Sequence, residues 1–118
     1  MTEENNSRLD RCVEAVLNRK AIDVVVLDLR GLISFADTFI ICSGRSHRQV
    51  SAIAESVEQD LKAEGIKPIG VEGLREGHWV LMDYGDVVIH IFYEPIRIFY
   101  DLEGLWSDAR RIEQKNVK

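Results

Sequence analysis

The sequence predicts an α/β fold, more specifically a single mixed five-stranded sheet with helices mainly on one face. The chain has 118 residues, 46% of them hydrophobic and 30% charged, as is typical of one soluble globular domain. Apolar residues recur at helical spacing in three segments, and five short apolar runs have the composition of strands. The resulting order, αββαβββα, is that of a mixed sheet. We expect one domain over residues 1–118, with a core at about 7–109 and a charged tail at 110–118.

The first half of the chain is predicted to form a helix, two strands and a second helix. Ser7 and Asp10 have the spacing of a capping box, and apolar residues follow at helical intervals. The runs AIDVVVLDLRGL and DTFIICSG are rich in β-branched residues and bounded by glycine, which is typical of strands. Ser46 and Gln49 then begin the most regular helix, which ends at Gly65. Its predicted core residues are Val50, Ile53, Ala54, Val57 and Leu61.

The second half begins with a short predicted strand, KPIGVEG, and a hairpin, HWVLMDYGDVVIHIFY. Tyr84 and Gly85 are the predicted two-residue turn of this hairpin, which pairs Trp79 with His90 across the strands. One face of the hairpin is almost entirely aliphatic and suits burial beneath helices. Its members are Val80, Met82, Val87, Ile89, Ile91 and Tyr93.

The other face of the hairpin is predicted to be partly open to solvent, because unpaired charges are costly to bury. Its members are Trp79, Leu81, Asp83, Asp86, Val88, His90 and Phe92. Trp79 fits two interpretations, a hydrophobic cluster with a hydrogen-bonded indole or a binding anchor. An isolated histidine such as His90 is more often structural than a base or a ligand.

Pro95 predicts the start of a last helix, which carries the stretch FYDLEGLW and fades into the charged tail. At about 100° per residue, one arc of this helix is apolar and is predicted to close the core. The arc contains Ile98, Phe99, Leu102, Leu105 and Trp106. Tyr100 points nearly opposite this arc, between Arg97 and Glu103. A tyrosine in such surroundings is either a binding anchor or an incidental surface residue.

The charge balance and the two cysteines restrict the classes of partner and compartment. The 20 Asp and Glu against 15 Lys and Arg give a formal charge of −5, which makes a basic protein a better partner than nucleic acid. Cys12 and Cys42 lie in apolar patterns and are predicted to be buried free thiols in a reducing cytosol. No apolar run approaches the roughly 20 residues that span a membrane, and the polar start MTEENNSR predicts a cytoplasmic protein.

No pattern in the sequence predicts catalysis. His47, His78 and His90 are scattered and form no metal motif with the cysteines, so neither a metal nor a cofactor is expected. The stretch SGRS before the second helix resembles a phosphate-binding turn at Gly44. A nucleotide-binding or nucleotidyl-transferring enzyme is therefore an alternative, although Ser46 capping the helix explains the same residues without a ligand.

Four motifs in order resemble the ribosomal silencing factor family, also called the Iojap-related family. They are DTFIICSGRSHRQVSAIAESV, GVEG, HWVLMDYGDVVIHIFYEPIR and FYDLEGLW, and the resemblance runs from about residue 23 to about residue 109. It implies a fold akin to a degenerate nucleotidyltransferase without the catalytic acids, and hence no enzymatic activity. It also implies binding to the large ribosomal subunit through its fourteenth protein, which blocks subunit joining and reduces translation when nutrients are scarce.

The resemblance also implies partner contacts for a tryptophan before the hairpin and a tyrosine in the final motif, which correspond to Trp79 and Tyr100. Near them, Asp101 and Glu103, and then Asp83, are expected to form ion pairs with a basic partner. The full predicted partner-binding set is Trp79, Tyr100, His90, Asp83, Asp101 and Glu103. The apolar residues around Trp79 leave self-association, for example as a homodimer, as a further alternative.

Overall fold

The structure, a computed structural model, describes residues 3–112, with side chains from Arg8 onward. Within this range the helices are α1 (Glu3–Asn18), α2 (His47–Ala63), α3 (Glu94–Tyr100) and α4 (Leu102–Leu105). The strands are β1 (Ile22–Asp28), β2 (Thr38–Gly44), β3 (Gly70–Glu72), β4 (Trp79–Asp83), β5 (Val87–Tyr93) and β6 (Arg110–Arg111). The predicted single mixed sheet is confirmed, with one strand more than predicted and with the last helix divided in two.

A single sheet with the strand order β3-β4-β5-β2-β1-β6 organises the domain. β2 and β5 pair in parallel at its centre, and every other neighbouring pair is antiparallel. β6 is the strand that was not predicted, since Arg110 and Arg111 were assigned to the charged tail. Arg111 pairs with Leu27, and Nη2 of Arg110 donates to Oδ2 of Asp28 at 3.2 Å. The sheet extends into this charged segment because the edge of β1 offers it both backbone partners and a carboxylate.

The long helices α1 and α2 cover one face of the sheet and enclose the larger of two cores. α2 agrees with its prediction, because Oγ of Ser46 accepts the N–H of Gln49 at 3.0 Å and the five predicted core residues are the five buried ones. α1 begins before the predicted cap at Ser7, which lies inside the helix. Cys12 and Cys42 are buried free thiols as predicted, and burial raises the pKa of each to about 12.

The β4–β5 hairpin has a different register from the predicted one. The N–H of Tyr84 donates to the carbonyl of Val87 at 2.9 Å, so residues 85 and 86 form the turn rather than 84 and 85. Trp79 consequently lies opposite Phe92 instead of the predicted histidine. The physical reason is that Tyr84 is 2% exposed and belongs to the core beneath the helices, where burial of its ring is favourable. A register shift of two residues leaves the strand side chains on their predicted faces.

The opposite face of the sheet carries a second, smaller core, against which α3 and α4 pack. This face was predicted to be partly open to solvent, and the prediction is correct only along β4, where Trp79, Leu81 and Asp83 are half-buried. On β5 the three residues of this face are buried. They are buried because α3, α4 and the ring of Trp106 cover the hydrophobic cluster to which they belong.

The predicted last helix is interrupted, and much of its predicted core face is exposed. The exposed residues are Ile98 (79%), Phe99 (77%) and Leu105 (71%). Leu102 and Trp106 do pack against the smaller core, as predicted. The interruption is a left-handed backbone at Asp101, with φ 48° and ψ 53°, between α3 and α4. Because this residue interrupts the helix, the count of about 100° per residue does not continue from α3 into α4. The predicted apolar arc therefore does not apply to both helices.

Candidate protein-binding surface

A group of aromatic and aliphatic side chains, three of them exposed and one half-buried, lies where β4 begins and α3 ends. We call it the aromatic surface and define it as Trp79, Ile98, Phe99 and Tyr100. The centroid of the Tyr100 ring lies 5.1 Å from that of Trp79 and 5.1 Å from that of Phe99. Tyr100 is 54% exposed, in keeping with its predicted orientation away from the core. Contiguous exposed apolar groups of this kind mark sites of interaction.

A hydrogen bond to a buried histidine holds Trp79 at the edge of the smaller core. Its Nε1–H donates to Nδ1 of His90 at 3.1 Å, and its ring packs against that of Phe92 with centroids 4.7 Å apart. Burial lowers the pKa of His90 to about 4, so the imidazole is neutral near pH 7 and accepts this bond. His90 is 3% exposed and therefore supports the aromatic surface from beneath. Trp79 thus has an inner edge in the core and an outer side next to Tyr100.

Asp101 forms the turn, here called the elbow, that joins α3 to α4. Its left-handed backbone ends α3, and its carboxylate accepts the N–H of Gly104 at 3.2 Å to cap α4. Aspartate adopts a left-handed backbone more readily than most residues. A Cβ at Gly104 would collide with the Asp101 carboxylate, so a side chain there would displace the cap. Two positions of the sequence therefore specify the elbow.

Arg97, which is buried, connects the elbow to the sheet through an ion pair with the partly buried Glu103. It is 9% exposed, and its guanidinium donates to both carboxylate oxygens of Glu103, at 3.0 and 2.9 Å. Its Nη1 also donates to Oγ of Ser43 in β2 at 2.8 Å. We call Ser43, Arg97 and Glu103 the Arg97 clamp. The hydrogen bonds from Arg97 lower the pKa of Glu103, and their forked geometry fixes both side chains in one orientation.

The three acidic residues predicted to meet a basic partner have different surroundings. Both oxygens of Glu103 are engaged in the ion pair of the clamp. Asp83 is half-buried at the opposite end of β4 from Trp79, and its Oδ1 accepts a backbone N–H of the following turn at 2.9 Å. Asp101 is exposed and follows Tyr100 directly in the chain. The structure therefore brings Asp101 to the aromatic surface, uses Glu103 inside the domain and leaves Asp83 farther away.

The sequence did not predict two residues of the aromatic surface or the buried contacts that orient their helix. Ile98 and Phe99 were assigned to the core, and the roles of Arg97 and Ser43 were not recognised. The signal that could have found them is Asp101, a residue type that tolerates a left-handed backbone and caps helices. The prediction treated α3 and α4 as one continuous helix, and it therefore placed Ile98 and Phe99 on the buried face.

The turn after β2 is explained by packing against α2. A Cβ at Gly44 would lie 3.0 Å from Cγ2 and 3.1 Å from the backbone nitrogen of Val50, so strand and helix approach too closely for a side chain. Packing at Gly44 and capping by Ser46 together account for this turn without a nucleotide. Within residues 3–112, no group of three or more His, Cys, Asp or Glu side chains is arranged to hold a metal ion. In that same range no helix is long and apolar enough to cross a membrane.

The chain is similar to known proteins over nearly its whole length. The family model described as ribosomal silencing factor during starvation matches residues 2–118. Ribosomal silencing factor RsfS of Halalkalibacterium halodurans is 42% identical over 113 residues, which cover 96% of this chain and 97% of the relative. A crystal structure of a protein from Bacillus halodurans superposes with a TM-score of 0.82 at 38% identity, covering 92% of this chain and 99% of that one. The mouse protein named mitochondrial assembly of ribosomal large subunit protein 1 is 28% identical, covering 84% of this chain and 45% of that protein.

Proposed function

The chain belongs to the ribosomal silencing factor family, and on that basis we propose that it binds the large ribosomal subunit and blocks joining of the small one. In this proposal the aromatic surface contacts the fourteenth protein of the large subunit. The observation that carries the proposal is the exposure of Ile98, Phe99 and Tyr100 on a helix whose arginine is buried. A helix with this orientation leaves apolar side chains available to a partner instead of burying them within the domain.

Tyr100 and Trp79 have the properties of binding anchors. Aromatic side chains dominate the energetics of protein interfaces because a few rigid atoms cover a large apolar area. The two rings adjoin each other, so a partner side chain that covers one also contacts the other. Asp101 adds an exposed carboxylate at the rim, and the net charge of −5 favours approach of a basic protein.

Blocking of subunit joining is steric in this proposal and involves no catalytic turnover. A globular domain bound where the two subunits meet occupies space that the small subunit needs. The effect therefore follows the fraction of large subunits that carry the protein, which makes the chain a stoichiometric repressor of translation. We place this action in the cytoplasm under nutrient limitation. The name of the mouse relative, which refers to the large ribosomal subunit, supports the choice of subunit.

Sedimentation of ribosomal subunits tests the proposal. The purified protein is incubated with isolated large subunits, small subunits are added under conditions that favour joining, and gradient fractions are assayed. We expect the protein to migrate with the large subunit and to lower the yield of joined ribosomes until about one protein is bound per large subunit. A protein that remains at the top of the gradient, with an unchanged yield of joined ribosomes, would rule the proposal out.

Self-association through the aromatic surface is a second mode of contact that its exposed apolar side chains favour. Light scattering on the unmodified protein and on Trp79→Asp distinguishes the modes, since the substitution introduces a charge into the surface. A homodimer formed by this surface is expected to dissociate in the variant. A dimer that persists in Trp79→Asp is held together elsewhere.

A further inference from the structure

Ile96 of helix α3 packs against the smaller core, but the last four residues of the helix have an inverted distribution of charged and apolar side chains. Arg97 is 9% exposed, whereas the next three residues, Ile98, Phe99 and Tyr100, are 79%, 77% and 54% exposed. Burying a charge and leaving large apolar groups in water both cost free energy. Stability alone therefore does not explain why the helix has this orientation.

Helical periodicity favours a different packing of the same segment. In one continuous helix the apolar residues would share an arc and face the sheet. That arc is Ile98, Phe99, Leu102, Leu105 and Trp106. The clamp opposes this packing, because Arg97 points inward to Ser43 of β2 and holds Glu103 across the elbow. The ion pair therefore favours the packing in which the aromatic surface is exposed.

Resting on the proposed function, we propose that Arg97 and Glu103 are positioning residues whose ion pair keeps the aromatic surface turned outward. Without the pair, α3 rotates, Ile98 and Phe99 pack against the sheet, and Tyr100 moves away from Trp79. The domain remains folded, because this rotation replaces a largely buried ion pair by apolar contacts. Partner binding is lost, because the anchors are no longer presented together.

The double variant Arg97→Met/Glu103→Leu tests this inference, since it removes both charges and leaves neither one buried alone. The matched control is Arg19→Met/Asp60→Leu, which removes another forked ion pair, between the residue that follows α1 and α2, with N–O distances of 3.1 and 2.8 Å. We expect the clamp variant to bind large subunits at least about tenfold more weakly than the unmodified protein and to keep a similar melting temperature. The control variant is expected to retain its affinity.

The indole N–H resonance of Trp79 reports the orientation of α3 without any ribosome. The ring of Tyr100 lies beside that of Trp79, so its departure changes the magnetic environment of the indole. Substitution of Trp106 by Phe identifies which of the two indole signals belongs to Trp79. We expect the Trp79 signal to shift in the clamp variant and to stay in place in the control. Failure of the unmodified protein to bind would refute the proposed function, and the indole signal would still decide whether the clamp positions the surface.

Three results would overturn the inference. The first is an affinity of the clamp variant within twofold of the unmodified protein, and the second is an unshifted Trp79 signal. The third is a loss of affinity that only follows the folded fraction measured by circular dichroism. If the double variant does not fold, Glu103→Gln takes its place, because glutamine keeps the size of the side chain and one acceptor oxygen. Weaker binding together with a shifted indole signal then supports the inference, and the absence of either refutes it.

Discussion

The two faces of the sheet distribute charged and apolar side chains in opposite ways. On the face of α1 and α2 the apolar side chains are buried as their spacing predicts, and the ion pair of Arg19 and Asp60 lies outside, with side chains 42% and 35% exposed. On the face of α3 and α4 the ion pair of Arg97 and Glu103 is largely covered, with side chains 10% and 19% exposed, whereas the apolar side chains of Ile98, Phe99 and Leu105 lie outside the smaller core. Apolar spacing therefore predicts which side chains are buried beneath α1 and α2, but it does not predict this at the end of α3, where an arginine is buried and its apolar neighbours are exposed.

Stability is expected to show the largest contrast between the faces. Ile89 is fully buried beneath the long helices, so Ile89→Ala should lower the free energy of unfolding by about 2–5 kcal/mol. Phe99→Ala removes a larger side chain, but one that is 77% exposed, and should change it by less than about 0.5 kcal/mol. Urea titrations followed by circular dichroism measure both values. If Phe99→Ala lowered the free energy of unfolding as much as Ile89→Ala, Phe99 would belong to a core.

Binding is expected to show the reverse contrast. Tyr100→Ala should weaken binding to the large subunit by about 2 kcal/mol or more, because it removes an anchor of the aromatic surface. The matched control is Ile69→Ala, which removes an apolar side chain that is 75% exposed at the opposite end of β4 from Trp79. Affinities are measured by co-sedimentation at a series of protein concentrations. Equal losses in both variants would indicate a general effect of surface apolar groups rather than a defined site.

Acid is expected to destabilise the domain through the face of α3 and α4. The pKa of His90 is about 4 in the folded protein against 6.5 for the free side chain, so the unfolded chain binds the proton more readily. The contribution of a neutral His90 to stability is therefore complete above pH 6.5 and declines as the pH falls towards 4. Between pH 7 and pH 5 the free energy of unfolding should fall by about 2 kcal/mol from this residue.

The control for the acid effect is His90→Gln, whose amide oxygen can accept the indole N–H of Trp79 but does not titrate. Urea titrations at pH 7, 6 and 5 compare the two proteins. The unmodified protein should lose stability over this range while the variant changes much less. Parallel pH profiles would show that other groups cause the decline.

Regular elements were predicted from the sequence because their local signals agree with their tertiary packing. In α2 the cap at Ser46, the stop near Gly65 and the apolar spacing between them all point to the same helix, and the structure contains it. The hairpin faces were also predicted correctly, since strand alternation is insensitive to a register shift of two residues. Its turn was misplaced by one residue because Gly85 was assigned to the second turn position, whereas Tyr84 is buried in the core and Gly85 is the first turn residue.

The candidate site was predicted only in part, because its geometry depends on contacts between distant parts of the chain. Tyr100 was expected to face outward and does so, next to Trp79. The neighbouring Ile98 and Phe99 were expected to be buried, and that prediction was wrong. No local pattern shows that Arg97 will reach Ser43, 54 residues away, and this contact sets the direction in which the apolar side chains point.

The parallel pairing of β2 with β5 also has a consequence for folding kinetics. The hairpins β1–β2 and β4–β5 form between neighbouring segments. The parallel pairing of β2 with β5 joins Thr38 to Val87 and therefore requires the closure of a long loop. Since the clamp links Ser43 in β2 to Arg97 beyond β5, we expect it to form only after β2 and β5 have paired. We therefore expect the aromatic surface to be assembled late on the folding pathway, and only in molecules whose sheet is complete.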